Sequence, residues 1–341
     1  MRDTPAPLFD PDRAARFHAG FPPYAATPVT QVRIGGRPVW IKDETARMGL
    51  GAFKAIGGTY AVASLLARAL DVTPFTAEAV RAATARAPAP PTFVCASAGN
   101  HGLAVAFGAR YFGAGCRIHL SATVPEAFAQ RLRAQGAEVV RSGAVYEDSI
   151  SAAIADAEAT GAIHLADGSW PGYTEPPRLV MEGYTVMAAE MRARFAATGD
   201  WPDRVYLQAG VGGMAAAVAE MIRRDWTVQP EIVVVEPEAA PCLRDSAATG
   251  EMVTVTGPVS EMGRLDCKAP SMLAFEVLTA TADRYVTITD AEARAAVETA
   301  RSLGFSSTPS GAAGLAALML DDAASPPGRP LVILSEGAEA A

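Results

Sequence analysis

One pattern recurs along most of the sequence: a short run of β-branched and apolar residues, then a glycine turn, then an alanine-rich amphipathic stretch. TFVCASAGNHG leads into LAVAFGARYFG, CRIHLSATVP into EAFAQRLRAQG, and DRVYLQAGVGG into MAAAVAEMIRR. Apolar runs that alternate with helices predict an α/β fold whose mostly parallel sheets are covered on both faces. We expect strands near 92–96, 116–121, 138–140, 204–208, 231–235 and 331–335.

Two further segments predict local structure. QVRIGG and RPVWIKD predict a hairpin that turns at Gly35-Gly36. The alanine- and proline-rich stretch 81–91, RAATARAPAPP, predicts a surface loop.

Composition limits the function classes. A chain of 341 residues is long enough for one large α/β domain or two associated ones. The net charge of -8, without a basic stripe, argues against nucleic-acid binding. No apolar run reaches the roughly 18 residues of a membrane helix, and the N-terminal segment has acids and prolines where a signal peptide needs an apolar core. We therefore expect a cytoplasmic protein. The four cysteines lie far apart without CxxC pairs, so no metal site is expected.

Lysine is rare in this chain. Of 29 basic residues only Lys42, Lys54 and Lys268 are lysines. An arginine can replace a lysine on the surface but cannot form an imine, because its guanidinium stays protonated. Lys54 lies between Gly51 and the pair Gly57-Gly58, where a backbone can approach a bulky ligand; a plain exposed lysine at a helix start is the alternative. An ion pair with the neighbouring Asp43 and Glu44 explains Lys42. Lys268 is expected to be a solvated charge in a mobile loop, with contact to the substrate as the alternative.

Two strand–glycine–helix junctions could bind anions. SAGNHG (97–102) offers backbone N–H groups, a helix N-terminus and the Asn100 amide, although it could be a simple turn with a structural His101. QAGVGGM (208–214) could wrap a phosphate with main-chain donors. It lacks the GK[ST] of a nucleotide P-loop, while Glu236 after the next strand leaves a dinucleotide site open. A phosphate loop, an amide-bearing turn and a rare lysine together match the needs of pyridoxal phosphate.

The motifs AFKAIGG, SAGNHGLAVA, QAGVGGMA, STPSGAAG and LSEG resemble, in order and spacing, those of the tryptophan-synthase-β-like (fold-type II) pyridoxal-phosphate enzymes. Within them the chain is most similar to the diaminopropionate ammonia-lyases, through WIKDET, DGSWPGYTEPPRLVMEGY, EPEAAPC and GRLDCKAPSMLAFEVL, from about residue 25 to the end. The resemblance implies two open twisted sheets flanked by helices and a homodimer. It also implies a large cofactor domain (1–60 and 173–341) and a small domain (61–172) that carries SAGNHG.

The resemblance also implies the site. Lys54 would hold pyridoxal 5'-phosphate as a Schiff base, Asn100 would contact the ring oxygen and Ser335 would face the pyridine nitrogen. The phosphate would be held by Gly210, Val211, Gly212, Gly213 and Met214. A neutral serine opposite the nitrogen makes the ring a weaker electron sink than a carboxylate would, which favours α,β-elimination over transamination. Asp167 would be the general base at Cα, with a raised pKa beside Trp170 and Tyr173; a turn-capping aspartate is the alternative.

The expected reaction is therefore α,β-elimination of 2,3-diaminopropionate, or a similar small β-substituted amino acid, to pyruvate and ammonia. A serine, threonine or hydroxyaspartate dehydratase and a β-replacement synthase are the alternatives. Ala98 stands where the ammonia-lyases have an aspartate that deprotonates the D-isomer, so we expect either an L-specific enzyme or a different β-substituted substrate. Cys242 and Cys267 match a pair that can form a disulfide in that family, while a cytoplasmic setting favours free thiols.

Overall fold

The computed structural model describes residues 7–321 and 328–338 and contains two separate β-sheets flanked by helices. The strands are β1 (Val29–Ile34), β2 (Arg37–Asp43), β3 (Thr92–Cys95), β4 (Gly115–Leu120), β5 (Glu138–Arg141), β6 (Ile163–His164), β7 (Arg204–Gln208), β8 (Glu231–Pro237), β9 (Arg284–Ile288) and β10 (Pro330–Leu334). The α-helices are α1 (Pro11–Ala19), α2 (Lys54–Ala69), α3 (Ala77–Arg86), α4 (Asn100–Phe112), α5 (Glu126–Ala134), α6 (Tyr146–Thr160), α7 (Glu175–Thr198), α8 (Gly213–Asp225), α9 (Cys242–Thr249), α10 (Met272–Thr281), α11 (Asp290–Ser302) and α12 (Ala313–Asp321). A short 3-10 turn covers Arg47–Gly49.

The larger sheet has six strands in the order β1-β2-β10-β7-β8-β9. Its neighbours are parallel except for the β1–β2 pair, which forms the predicted hairpin. Ile34 pairs with Arg37, and Gly35 and Gly36 have φ values of 57° and 84°. Both turn residues thus lie in the left-handed region that glycine enters without a Cβ penalty.

The smaller sheet has four parallel strands in the order β5-β4-β3-β6. The expected α/β fold with two mostly parallel sheets is confirmed, and the six predicted strands are present with ends shifted by one or two residues. β6 and β9 were not predicted. β6 has only two residues, and RYVTI of β9 is interrupted by polar side chains.

The predicted loop over 81–91 is wrong in its first half. α3 continues to Arg86, and the Thr76 hydroxyl caps its start by accepting from the amide of Ala79 at 3.2 Å. The prolines of this stretch stand only at 88, 90 and 91, so the alanine-rich part before them is free to be helical.

Helix α2 packs closely between α4 and α7, and this contact explains two of its glycines. A Cβ on Gly57 would come within 2.2 Å of the Tyr184 ring in α7. A Cβ on Gly58 would come within 2.6 Å of the Ala104 Cβ in α4. Gly57-Gly58 therefore serves helix packing, whereas the sequence suggested approach to a ligand.

The core has two parts. The larger one fills the space between the two sheets and α1, α2, α4, α7 and α8. The smaller one lies between the six-stranded sheet and the alanine faces of α11 and α12. No helix within 7–321 and 328–338 is long and apolar enough to cross a membrane.

The domain boundaries stay a prediction. The strands of the four-stranded sheet all lie within 92–164, and those of the six-stranded sheet lie before 44 and after 203. Residues 1–6, 322–327 and 339–341, which belong to the predicted large domain, lie outside the described part of the chain.

Candidate active site

The carboxyl ends of strands from both sheets meet at one cleft. The Phe53 amide, next to Lys54, donates to the Ser335 carbonyl at 3.0 Å. The Gln208 side-chain amide at the end of β7 lies 3.1 Å from Ser335 Oγ. The Asn100 amide, at the start of α4, donates to the carboxylate of Glu336. Lys54 and the turns after β3, β7 and β10 thus surround one space, as is usual for ligand sites of open parallel sheets.

Lys54 is the first residue of α2 and points into this cleft. Its Nζ donates to the carboxylate of Asp167, and the two side chains keep 18% and 26% of their surface accessible. Burial disfavours both charges, but their attraction outweighs it. The pKa of Lys54 therefore lies above, and that of Asp167 below, its ordinary value.

Asp167 lies in the loop that follows β6, and neighbouring hydrogen bonds hold this loop. The Tyr173 hydroxyl accepts from the Ala166 amide at 3.0 Å and donates to the His164 carbonyl at 2.9 Å. Ser169 Oγ lies 2.7 Å from Ser271 Oγ. The expected raised pKa of Asp167 is wrong for this state, because the Lys54 ammonium outweighs the burial that would raise it.

The two polar residues of the SAGNHG turn, Asn100 and His101, have different positions and roles. Asn100 reaches the cleft, whereas His101 is buried and its Nε2 lies 2.8 Å from the Leu165 carbonyl. Since a carbonyl only accepts, that nitrogen must carry the proton. Burial lowers the pKa of His101, so the ring is neutral. The structural interpretation of His101 is the better one.

The QAGVGGM turn joins β7 to α8. Gly212 has a φ of 99° and precedes the first residue of α8, and no side chain caps the helix start. A Cβ on Gly210 would lie 2.9 Å from Cys267 Sγ and 3.0 Å from the Arg264 carbonyl. Val211 accepts from the Ser271 amide at 2.9 Å, which ties this turn to the loop that also holds Ser169. The backbone donors at the start of α8, including those of Gly213 and Met214, suit a phosphate.

The dinucleotide interpretation is not supported by Glu236. Its buried carboxylate accepts from the amides of Leu243 and Arg244 at 2.7 and 2.8 Å and so caps α9. Burial raises the pKa of Glu236 to about 7. The Glu236 carboxylate therefore caps a helix and does not form the ribose contact of a dinucleotide site.

Neither of the other lysines is available in the cleft. Lys42 is fully buried and pairs with Glu190, with Glu44 at 3.7 Å. The expected pairing with Glu44 is present, whereas Asp43 accepts from Thr45 instead. Lys268 is partly exposed, with 31% of its side-chain surface accessible, but its ammonium also has three partners in the protein. Its Nζ donates to the carbonyls of Ala239 and Pro258, each at 2.9 Å, and to Asp266 at 2.6 Å.

The cysteine alternatives are resolved towards free thiols. Cys242 and Cys267 are both unbonded, and both lie beside Gly210: the Cys242 thiol is 3.8 Å from the Gly210 carbonyl. Burial raises the pKa of the Cys267 thiol to about 11, so this thiol is protonated at neutral pH. Within the described residues, no group of three or more His, Cys, Asp or Glu could hold a metal ion.

Sequence reasoning missed two residues that line the cleft. Glu336 follows Ser335 and bonds Asn100, and Tyr184 stacks edge-on against Phe53 at 4.9 Å. The buried Tyr184 hydroxyl has no hydrogen-bond partner among the described residues. Glu336 lies in the motif LSEG beside Ser335, and Tyr184 lies in the motif VMEGY beside Gly183. These positions in the sequence could have indicated that both residues belong to the site.

A model of the family "Pyridoxal-phosphate dependent enzyme" matches residues 20–337. The chain belongs to this family. Among curated members it is 31% identical over 300 residues to the diaminopropionate ammonia-lyase of Escherichia coli K12, which covers 84% of this chain and 75% of that protein. It is 34% identical over 275 residues to the enzyme of the same name from Salmonella typhimurium LT2, covering 77% and 68%.

Solved structures of pyridoxal-phosphate enzymes agree. The holo diaminopropionate ammonia lyase of Escherichia coli superimposes with a TM-score of 0.87 at 28% identity, over 99% of this chain and 91% of that one. The same enzyme in complex with D-serine superimposes with a TM-score of 0.84 at 28% identity, over 97% and 90%. The expected cofactor, pyridoxal 5'-phosphate, is thereby confirmed for this chain.

The residues present fit this cofactor. The cleft offers a lysine amine for its aldehyde, a helix start without a side-chain cap for its phosphate, and the orphaned Tyr184 hydroxyl beside them. The Ser335 hydroxyl carries a proton that it could donate to a neutral ring nitrogen.

Proposed function

We propose that this pyridoxal-phosphate enzyme is a carbon–nitrogen lyase that catalyses α,β-elimination of 2,3-diaminopropionate, or a similar small β-substituted amino acid, to pyruvate and ammonia. The observation that carries the proposal is the Lys54–Asp167 ion pair inside the cleft. It sets an amine and a carboxylate side by side, in a chain similar to ammonia-lyases over most of its length. These are the two groups that elimination requires: one to hold the cofactor and one to accept a proton.

Each predicted site residue then has a role. Lys54 would hold the cofactor covalently and Asn100 would contact the ring oxygen. Ser335 would donate to the pyridine nitrogen. The backbone of Gly210, Val211, Gly212, Gly213 and Met214 would hold the phosphate. Bound pyridoxal phosphate would supply the electron sink for the reaction.

Asp167 accepts the Cα proton. In the ion pair its pKa is low, so it is ionised and able to take a proton. Attachment of the cofactor would take the Lys54 amine out of this ion pair, and the main cause of that low pKa would then be weakened. Burial remains, and it raises the pKa of Asp167 towards the range in which a carboxylate is an effective base.

Ser335 directs the outcome towards elimination. Its hydroxyl is neutral and lies 3.1 Å from Gln208 Nε2, whose two hydrogens point to the carbonyls of Gly311 and Ile333 at 2.9 and 2.8 Å. A neutral partner does not keep the pyridine nitrogen protonated, so the ring withdraws electrons less strongly. Loss of the β-substituent together with the proton is then favoured over transamination.

A hydroxy-amino-acid dehydratase is the second candidate, and Ala98 is the observation that favours it. Ala98 is half-buried in the turn after β3 and carries no group that could accept a proton from a D-isomer. The chain is also 28% identical over 206 residues to a human serine dehydratase-like protein. The two candidates differ in the leaving group, which is ammonia in one and water in the other.

The deciding experiment measures pyruvate and ammonia from the purified holoenzyme over a panel of L- and D-amino acids. Diaminopropionate should release two ammonia molecules per pyruvate, whereas serine releases one. Lys54→Arg is the matched control, because it keeps the cation beside Asp167 but cannot form an imine. Pyruvate from serine alone would establish the dehydratase, and product formation only with an added nucleophile would establish a β-replacement synthase.

We also propose a cytoplasmic homodimer, on the basis of similarity to the ammonia-lyases. Light scattering of the holoenzyme should give twice the chain mass of 35.4 kDa. A mass of one chain would contradict the proposed assembly.

A further inference from the structure

Glu336 is a buried carboxylate that contacts Asn100 and Thr308, with only 6% of its surface accessible. Its backbone is fixed on two sides, by a bridge to Ala52 and by the Ser307 hydroxyl, which donates to the Glu336 carbonyl at 2.7 Å. Gly311 leaves room for it, since a Cβ there would lie 3.0 Å from Glu336 Cγ. The position of this side chain is therefore set by the six-stranded part of the molecule.

Both carboxylate oxygens have partners. Oε1 accepts from the Thr308 hydroxyl at 2.5 Å, and Oε2 accepts from Asn100 Nδ2. The Arg264 guanidinium lies further off, with its Nε 3.8 Å from Oε2. Because an ionised carboxylate only accepts hydrogen bonds, Asn100 must turn its amino group towards Glu336. This contact assigns the orientation of the Asn100 amide, and one Nδ2 hydrogen is left for another acceptor.

The Asn100–Glu336 contact also crosses the molecule. Asn100 begins α4, which follows β3 of the four-stranded sheet, whereas Glu336 follows β10 of the six-stranded sheet. The two residues are 236 positions apart in the chain. Glu336 follows Ser335 in the chain and contacts Asn100. It therefore links the two residues that are predicted to contact the cofactor ring.

We propose that Glu336 is a positioning residue that fixes the Asn100 amide for the cofactor and thereby joins the two sheets across the cleft. The inference rests on the proposed contact of Asn100 with the cofactor ring. Glu336 acts through Asn100, so its contribution to cofactor binding vanishes when Asn100 is removed.

The test is a double-mutant cycle on the affinity for pyridoxal 5'-phosphate, measured by titrating apoenzyme and following the visible absorption of the bound cofactor. Asn100→Ala and Glu336→Ala should each weaken binding about tenfold or more, the usual effect of losing a hydrogen bond to a charged group. The double variant should bind the cofactor at most about twofold more weakly than either single variant. Additive losses would overturn the proposal.

Two substitutions of Glu336 distinguish the effect of its side-chain length from the effect of its charge. Glu336→Gln keeps the length of the side chain and an oxygen for Asn100, and should bind the cofactor nearly as well as the wild type. Glu336→Asp keeps the charge but is one methylene shorter, and should be as weak as Glu336→Ala. The reverse order would show that charge, and not positioning, matters, and would overturn the proposal.

Thr308→Val removes the hydrogen bond that holds the other oxygen of Glu336. Any loss of affinity that it causes should be no larger than that of Glu336→Ala and should vanish in the Asn100→Ala background; a loss that persists there would contradict a specific role through Asn100. The titration needs no substrate. A protein that releases no pyruvate but shows this cycle would refute the proposed reaction and leave the role of Glu336 intact.

Discussion

At the scale of single residues, the chemistry of the site follows from contacts between distant positions. Lys54 could be selected from the sequence, because only three residues can form an imine and one of them lies in a glycine-flanked motif. The state of Asp167 could not, since its pKa depends on whether Lys54 reaches it across 113 positions. Glu336 was not predicted for the same reason. The sequence LSEG does not show that its carboxylate contacts Asn100, which is distant in the chain.

Asp167→Asn tests the proton acceptor directly. The amide keeps the size of the side chain but cannot accept the Cα proton, so kcat should fall by about 10²–10⁴-fold. The visible absorption of the bound cofactor should persist, because Lys54 is untouched. Steady-state pyruvate release and an absorption spectrum of the same preparation check both statements. Unchanged kcat would assign the proton to another group.

Ala98→Asp tests the stereochemical role of the turn after β3. The wild type should release pyruvate from L- and not from D-diaminopropionate, and the substitution should add measurable turnover of the D-isomer. Ala98→Asn is the matched control, since it adds the same bulk without a base. If the wild type already consumes both enantiomers at similar rates, the hypothesis of L-specificity is wrong.

At the scale of elements, continuous apolar runs predicted strands well and mixed runs did not. IVVV and LVIL are buried throughout and were predicted correctly, whereas β9 has four half-buried positions among its five residues and was missed. The error at α3 arose from averaging alanines with the prolines that follow them. The glycines of α2 were recognised as a close approach, but their partner proved to be helices and not a ligand.

Gly58→Ala should destabilise the protein through the contact of α2 with α4. The added methyl would lie 2.6 Å from the Ala104 Cβ, and overpacking of this kind costs about 1–3 kcal/mol. Gly20→Ala is the matched control, because its Cβ would meet only carbonyl oxygens at 3.8 and 3.9 Å. Urea unfolding of both variants measures the difference. Equal stability of the two would contradict close packing at Gly58.

At the scale of the whole molecule, buried ionisable groups make the fold sensitive to pH. A cluster of two cations and two anions, Lys42, Glu44, Arg47 and Glu190, joins β2 to α7, with Arg47 Nε 2.7 Å from Glu44 and Arg47 Nη2 2.8 Å from Glu190. His18 lies beside it in the aromatic core. Burial, followed by the charge of Arg47, lowers the pKa of His18 from 6.5 to about 3.

The stability should therefore fall in mild acid. Between pH 6.5 and 3 the unfolded chain binds a proton at His18 that the folded chain does not, so the stabilisation is complete above pH 6.5 and is lost as the pH falls. At 1.36 kcal/mol per pH unit, the loss between pH 6.5 and 5 is about 2 kcal/mol. His18→Phe should remove this part of the slope in urea unfolding curves.

Phe21→Leu is the control for that experiment, because it perturbs the same core without a titrating group. It should lower the unfolding free energy equally at pH 7 and pH 5. A His18→Phe protein with the pH slope of the wild type would show that other groups cause the acid sensitivity.

The immobilisation of two of the three lysines has a consequence for reactivity. Lys42 is sealed in the ionic cluster, and Lys268 is bound by two carbonyls and a carboxylate. An aldehyde that diffuses into the cleft meets a single lysine amine and no competitor that could trap it in an unproductive adduct. The site of attachment in the cleft is therefore fixed by the protein, and borohydride trapping of an aldehyde should modify Lys54 before the partly exposed but hydrogen-bonded Lys268.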